Sequence, residues 1–428
     1  MNDIAHREIP LPVVGLSGFD VGLTEHELVA QRALHRFALE VMRPIARELD
    51  RLPASVAYQK GSPFWQFHTE FAKLGLGGED LSELPPDQAA RLEGITIEEL
   101  AWGDAGLTVT GGVKDLPLIM ARASANKELI DLCHGKLGCW CATQPERGSD
   151  GLTLYPAERY PGSTGNKGNL QATFRGDEII INGQSSAWIS NGPVAEVALM
   201  DIVADYGEGF FDPEGNTFGC NIIVPLDLKG ISRGKPLEKL GKRTLPQGEI
   251  FFDNVRVPRR FAIATRDDYD FKHAHAWAIA GTAMSHIACG LARSAFELAL
   301  AYVNQRKQGG ALLADLQLTQ YRIGVLGNKV EAIRAMARHV AHYTRCSSRP
   351  HPYFTASGKA YCCGEMFTVV NDSLQLFGGV GLTCEYPMEK LLRDARAMQI
   401  EDGENNLLLM HYGYLLTRLY QQEGWGKT

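Results

Sequence analysis

The chain has no long hydrophobic run. Nothing in its 428 residues approaches the roughly 20 consecutive apolar residues that a membrane-crossing helix needs, so no membrane partner is expected. The segment Met1-Asn2-Asp3-Ile4-Ala5-His6 lacks the apolar core of a secretory leader. Basic charge is not in excess either. Forty-three Lys and Arg stand against 50 Asp and Glu, a net charge of −7, which argues against nucleic-acid binding and leaves no basic face for a membrane. The nine cysteines lack zinc-ligand spacing and do not form a disulfide framework. Cys139 and Cys141 sit in an apolar run and read as packing. A reducing, cytoplasmic compartment is the expectation. No internal repeat or low-complexity tract is present. What remains is an ordinary globular composition, 45% hydrophobic and 22% charged, with length enough for two or three packed layers or domains.

Taken in order, the chain reads as helix, then strand, then helix. Residues 1–24 are punctuated by Pro and Gly and are expected to be extended. Thr24-Glu25-His26-Glu27 has the form of a capping box, in which a hydroxyl and a carboxylate satisfy free amides at a helix start. Apolar residues recur at helical spacing through Leu28, Leu34, Phe37, Ala38 and Val41, and Pro44 is expected to kink or end that helix. Further helices are expected over 64–74, closed by Gly75-Leu76-Gly77-Gly78, and over 92–100 and 120–132, with a small-residue run from 107 to 113. The glutamates of this first third read as solvated helix faces. Strands are expected over 137–143, 170–174, 178–181, 195–203, 218–224, 248–252 and 255–257, with a turn-rich surface loop over 155–169. Short strands at this spacing suggest a barrel or sandwich. Long helices are expected over 277–304, 316–344 and 354–377, and they suggest a bundle that also meets other copies of the chain.

The residues that carry chemistry concentrate near the C-terminus. A helix bearing Asn371, Gln375 and Phe377 runs into Gly378-Gly379-Val380-Gly381. Such glycines let a backbone approach a ligand closely and offer free N–H groups. A helix with Arg393 and Arg396 follows, and ends in the acidic turn Glu401-Asp402-Gly403-Glu404-Asn405-Asn406, where a carboxylate can be aimed into a cavity. Upstream, Trp140-Cys141-Ala142-Thr143-Gln144-Pro145-Glu146-Arg147-Gly148-Ser149-Asp150 is a strand entering a Pro/Gly turn. Two further stretches are Trp188-Ile189-Ser190-Asn191-Gly192 and Arg306-Lys307-Gln308-Gly309-Gly310, the latter followed by Gln317. In this order, from about 24 to 416, the motifs resemble those of the acyl-CoA dehydrogenase family.

The resemblance implies an α+β fold: an N-terminal helical domain (1–136), a middle β-barrel (137–258) and a C-terminal four-helix bundle (259–428). It implies FAD as cofactor, an acyl-CoA substrate, an electron-transfer flavoprotein as acceptor, and a homotetramer or homodimer. Trp140, Ala142, Thr143, Gly148 and Ser149 would lie along the flavin edge, with Trp188 on its face and Ile189 and Ser190 beside it. Arg306 would pair with the FAD pyrophosphate of a neighbouring subunit, with Gln317, Gln375, Leu376, Gly378, Gly379, Glu404 and Asn406 completing the cofactor contacts. Ser149, Asp104, Thr108, Gly112 and Gly403 would face substrate, and the small residues after Leu107 would floor a roomy acyl pocket.

Asp402 falls at the base position, where the family usually has Glu, with Glu401 and Glu404 as competing carboxylates. The family's other base position falls at Ala280, which has no acid. Two departures bear on the substrate. Ala278 and Gly281 stand where the resemblance predicts an Asp and an Arg for the CoA ester, and the nearby run Lys272-His273-Ala274-His275 is a candidate replacement. The leading expectation is α,β-dehydrogenation of a bulky or cyclic acyl-CoA. The alternatives are a CoA-independent flavin oxidase or monooxygenase of the nitroalkane oxidase type, and a non-catalytic flavin-binding partner subunit.

Overall fold

The structure, a computed structural model, describes residues 20–423 apart from 21, 77–80, 82 and 153–165. Gly77-Gly78 and most of the loop expected over 155–169 lie outside the described residues.

Helix α1 (Glu25–Phe37) starts at the anticipated capping box: Thr24 Oγ1 accepts the Glu27 N–H, and Glu27 accepts the Thr24 N–H at 2.7 Å. Pro44 does not end the helical path. A π-helical turn (Ala38–Met42) carries it into α2 (Arg43–Arg51), with Pro44 at the second position of α2. Then follow α3 (Ala54–Ala57), α4 (Pro63–Ala72), α5 (Pro86–Gly103), α6 (Ala105–Ala123) and α7 (Lys127–Cys133). The single helix expected over 120–132 is therefore two. Ala125 adopts φ 54 between them, and Asn126 caps the second.

Strands β1 (Gly138–Cys141), β2 (Gln171–Arg175), β3 (Glu178–Gln184), β4 (Val197–Asp205), β5 (Gly219–Pro225), β6 (Ile231–Arg233), β7 (Ile250–Pro258) and β8 (Ala262–Ala264) form one sheet in the order β6-β7-β3-β2-β4-β5-β8, with β1 parallel to β4. The two strands expected over 248–257 are one, continuous through Asn254 at φ 50. β6 and β8 carry too few residues to show a period and were not anticipated.

The C-terminal part comprises α8 (Tyr269–Val303), a small hairpin of β9 (Lys307–Gln308) and β10 (Ala311–Leu312), α9 (Gln317–Cys346), α10 (Pro352–Phe377), α11 (Met388–Met398) and α12 (Asn405–Glu423). Thr282 meets Thr344, Gly281 lies against Thr355, and Tyr302 stacks on Phe377. α8 and α10 thus run parallel, with α9 antiparallel to both.

Gly290 of α8 lies directly on the backbone of α5 at Glu98, where a Cβ would collide with the Glu98 carbonyl. This approach corrects the reading of the first third's glutamates as solvated. Glu27, Glu98 and Glu99 are buried. Arg91 holds Glu27, while Arg293 of α8 and Arg334 and Arg338 of α9 converge on Glu98.

Candidate active site

Helix α11 ends at Met398, and the chain reverses through Asp402 (φ 49) and Gly403 (φ 93) before α12 begins. Glycine suits such a turn. Aspartate is among the few other residues that enter the left-handed region readily. Glu404 accepts the Leu407 N–H at 3.1 Å and so caps α12, and the exposed Asn406 donates to Glu404 at 2.8 Å. The structure therefore engages these two expected cofactor residues with each other at the helix start.

The charges around the turn alternate. Glu401 is ion-paired with Lys242 Nζ, and the Lys242 backbone N–H donates to Asp394 Oδ1 at 2.5 Å. Asp394 Oδ2 accepts from Lys390 at 2.6 Å, and Lys390 also donates to Asp104 Oδ2 at 2.5 Å. Two consequences follow. Glu401 is matched by a lysine and is a poor competitor for the base position. Asp104, expected to face substrate, is instead buried as the N-cap of α6, accepting from the Leu107 N–H and Thr244 Oγ1, both at 2.7 Å. Thr108 is buried beside it, its hydroxyl donating to the Asp104 carbonyl at 2.8 Å.

Among the described residues, Asp402 forms no ion pair with a matching cation. It lines a narrow cleft, together with Trp277 and Gly281 of α8, Tyr353, Ala356 and Lys359 of α10, and Leu408 and His411 of α12. Tyr353 and His411 stack, ring centroids 5.0 Å apart. Burial, reinforced by repulsion from Glu401, pushes the Asp402 carboxyl up to about 6, with Lys359 and Lys242 pulling the other way. A carboxylate in this range stays ionised at neutral pH yet is a stronger base than a solvated one.

The expected floor along α6 does not line this cleft. A Cβ on Gly111 would meet Phe71 at 2.8 Å, so Phe71 fills the space the small residue leaves; Gly112 is exposed. The proposed basic replacement is also occupied, since Lys272 pairs with Asp268 at 2.6 Å and His273 with the buried Asp201 at 2.7 Å. Trp277, Tyr353, Lys359, Leu408 and His411 were not singled out from the sequence. Lys359 did leave a signal, being the lone charge between Arg349 and Glu365 on an otherwise apolar helical stretch.

The base turn touches the sheet side through Ser149, whose Oγ accepts the Glu404 N–H at 3.1 Å. In the preceding turn the Gly148 N–H is taken by Asp150 at 2.7 Å, while Thr143 Oγ1 lies 2.7 Å from Ser186 Oγ and half-buried Ala142 precedes it. Ser190 accepts from Gln247 at 3.3 Å and Ile189 is buried. Asn191 (φ 64) ties this turn to α6 and β1 through Thr110 and Gly138. Trp188 is 62% exposed, an unusual placement for an indole. Trp140 Nε1 and Arg147 Nη1 are buried donors with no hydrogen-bond partner among the described residues. An exposed indole and buried donors left unmatched are each features that a planar, acceptor-rich group such as a flavin ring would satisfy.

The remaining expected cofactor residues are elsewhere. Arg306, Gln317, Gln375, Gly378 and Gly379 are exposed at the other end of the bundle, with Leu376 buried behind them. At 1.5 Å per residue, Gln375 lies roughly 24 Å along α10 from Lys359.

Three comparisons place this geometry among known proteins. Residues 276–413 match the family model for the acyl-CoA dehydrogenase C-terminal domain. The chain is 31% identical over 401 residues to the mitochondrial isobutyryl-CoA dehydrogenase of Dictyostelium discoideum, covering 91% of this chain and 88% of that protein. It is 27% identical over 402 residues to the short-chain specific acyl-CoA dehydrogenase of Clostridium acetobutylicum, covering 91% and 97%. The structure of butyryl-CoA dehydrogenase from Megasphaera elsdenii superposes with a TM-score of 0.77 at 25% identity, covering 92% of this chain and 99% of that one.

Proposed function

The chain belongs to the acyl-CoA dehydrogenase family, and from this premise we propose that it oxidises the Cα–Cβ bond of an acyl-CoA thioester, with Asp402 as the base. One observation carries the reading. Asp402 is the carboxylate of its turn that faces the cleft without an ion-pair partner, while Glu401 is held by Lys242 and Glu404 caps α12. FAD, when bound, supplies the acceptor for the hydride leaving Cβ. The chain's own part is to take the Cα proton on the Asp402 carboxylate, with substrate entering the cleft that Asp402 lines. Trp140, Ala142, Thr143, Gly148, Ser149, Trp188, Ile189 and Ser190 would hold the flavin end. Arg306, Gln317, Gln375, Leu376, Gly378 and Gly379 would hold the distal end of a cofactor bound by another copy. Their separation from Asp402 supports a homodimer or homotetramer in which each site is shared. An electron-transfer flavoprotein is the acceptor this reading favours, and nine free cysteines, seven of them buried, suit a reducing cytoplasm.

The aromatic walls of the cleft, with Gly281 and Ala356 as its small positions, favour a bulky or cyclic acyl group. The test is anaerobic titration of the flavin-loaded protein with straight, branched and cyclic acyl-CoAs. Bleaching by one of them, at a rate that rises with pH through about 6, supports the proposal; the direction follows because only ionised Asp402 accepts a proton. A second reading rests on Gly281, which lines the cleft where the resemblance predicts an Arg for the CoA ester. Reduction by a nitroalkane and by no CoA ester would move the assignment to a CoA-independent oxidase. Purification without flavin, and failure to take it up, would favour a non-catalytic subunit.

A further inference from the structure

We propose that Lys359 is a positioning residue for Asp402: its buried ammonium clamps the backbone of the base turn and supplies the charge that keeps the carboxyl ionised at neutral pH. This rests on Asp402 acting as the base.

The Lys359 side chain is 0% exposed. Its Nζ donates to the Gly403 carbonyl at 2.7 Å and to Asn405 Oδ1 at 2.9 Å, acceptors that are both uncharged. No carboxylate forms an ion pair with it among the described residues. A buried ammonium without a counter-charge is strongly disfavoured, and the negative group that shares its cleft is Asp402. The two hydrogen bonds bracket the turn, one on the residue after Asp402 and one on the first residue of α12. Together with the Glu404 N–H on Ser149, they hold a turn in which Asp402 itself sits in the left-handed region.

The charges facing Asp402 come from every element around it. Glu401, on its own turn, opposes ionisation and is matched by Lys242 from the loop before β7. His411 of α12 is pushed down by burial and stays neutral at neutral pH. Trp277 of α8 and Tyr353 of α10 bring no charge into the cleft near neutrality. Lys359 is left as the cation whose removal should be felt directly by the base. A lysine kept only to fill space would not need its ammonium aimed at the turn.

The experiment compares Lys359→Gln, which retains a hydrogen-bond donor without the charge, and Lys359→Met, which removes both. Two readouts are used: the pH midpoint of anaerobic flavin reduction by the acyl-CoA that bleaches the wild type, and a pH-difference infrared titration of the flavin-free protein. In the infrared titration the Asp402 carboxyl band is identified by its loss in Asp402→Asn. Removing the opposite charge that shares the cleft is expected to raise both midpoints, by about one unit, making reduction near pH 6 about fivefold slower through loss of the ionised form. A structural role alone would lower the rate at all pH values and leave both midpoints in place. Midpoints in both variants within a few tenths of a unit of wild type would overturn the proposal while leaving Asp402 as base. Wild-type reduction rates in Asp402→Asn would instead overturn the base reading and this proposal with it.

Discussion

Asp402→Asn is expected to lose flavin reduction by a factor of about 10² to 10⁴, the range that a positioned general base contributes, while becoming more stable than the wild type at neutral pH. Both effects arise from the same burial. A carboxyl at about 6 in the fold, against an ordinary 3.8, binds its proton more tightly in the folded chain than in the unfolded one. Ionising it therefore subtracts stability. The subtraction begins as pH rises past the unfolded value and is complete once pH passes the folded value near 6. The neutral amide removes the penalty. A gain of about 1–3 kcal/mol at about pH 7.5 is the order expected from the linkage relation. It should fall steadily through acid pH and reach zero only below the unfolded value of 3.8, where the carboxyl is protonated in both states. Thermal midpoints of the two proteins across that window check this. Equal midpoints at every pH would mean that the carboxyl is not held out of water, and the account of its basicity would go with it. A base that the fold would be more stable without is a position kept for chemistry rather than packing.

The sequence showed this turn clearly and its surroundings poorly, for a physical reason. Asp402 and Gly403 are neighbours, and the left-handed turn they make is a local property. The capping box at Thr24 and the turn at Trp188 to Gly192 are legible on the same grounds. Lys359 reaches the turn from another helix, and only the packing of α10 against α12 brings its ammonium to the Gly403 carbonyl. Asp104 is the N-cap carboxylate that a helix-end reading anticipates, although a carboxylate at a helix start has the same sequence appearance whether it faces ligand or lysine. Its partner Lys390 is remote in the chain. The errors in the elements were local and small. A non-glycine residue at positive φ split one helix at Ala125, and another, Asn254, failed to split a strand, because sheet pairing on both sides held that strand together. The cleft itself was misplaced to the small residues of α6, because Phe71 from α4 fills the space beside Gly111.

Glu98→Gln is expected to be the most damaging conservative substitution outside the cleft. The Glu98 carboxylate, 1% exposed, accepts from Arg293 Nη1 at 2.6 Å, Arg334 Nη2 at 2.5 Å and Nε at 3.0 Å, and Arg338 Nη2 at 3.3 Å. Glu99 shares Arg293 at 2.9 Å and binds His35 at 2.9 Å. Burial opposes the charge on Glu98, but the three guanidiniums outweigh it and hold the carboxyl well below its usual range. The amide keeps the shape and removes the only charge that all three arginines share. Removing one partner of a buried charge cluster typically costs about 3–5 kcal/mol, because the others remain buried without compensation. For a chain of this size that corresponds to a fall in thermal midpoint on the order of 3–6 °C. The pH dependence is diagnostic. A carboxyl depressed in the fold contributes stability above its unfolded value, and that stability is lost only as pH falls through the folded value. The gap between Glu98→Gln and wild type should therefore be flat from about pH 5 to 8 and close only in stronger acid. Glu98 joins α5 to α8 and α9 at the point where Gly290 lets their backbones meet, so the damage should appear first as loosening of the N-terminal helices from the bundle. Hydrogen exchange would show faster exchange in α5 than in α10. A variant with midpoint and exchange indistinguishable from wild type would show that the arginines find solvent or other acceptors, and that contact at Gly290 alone holds the helices together.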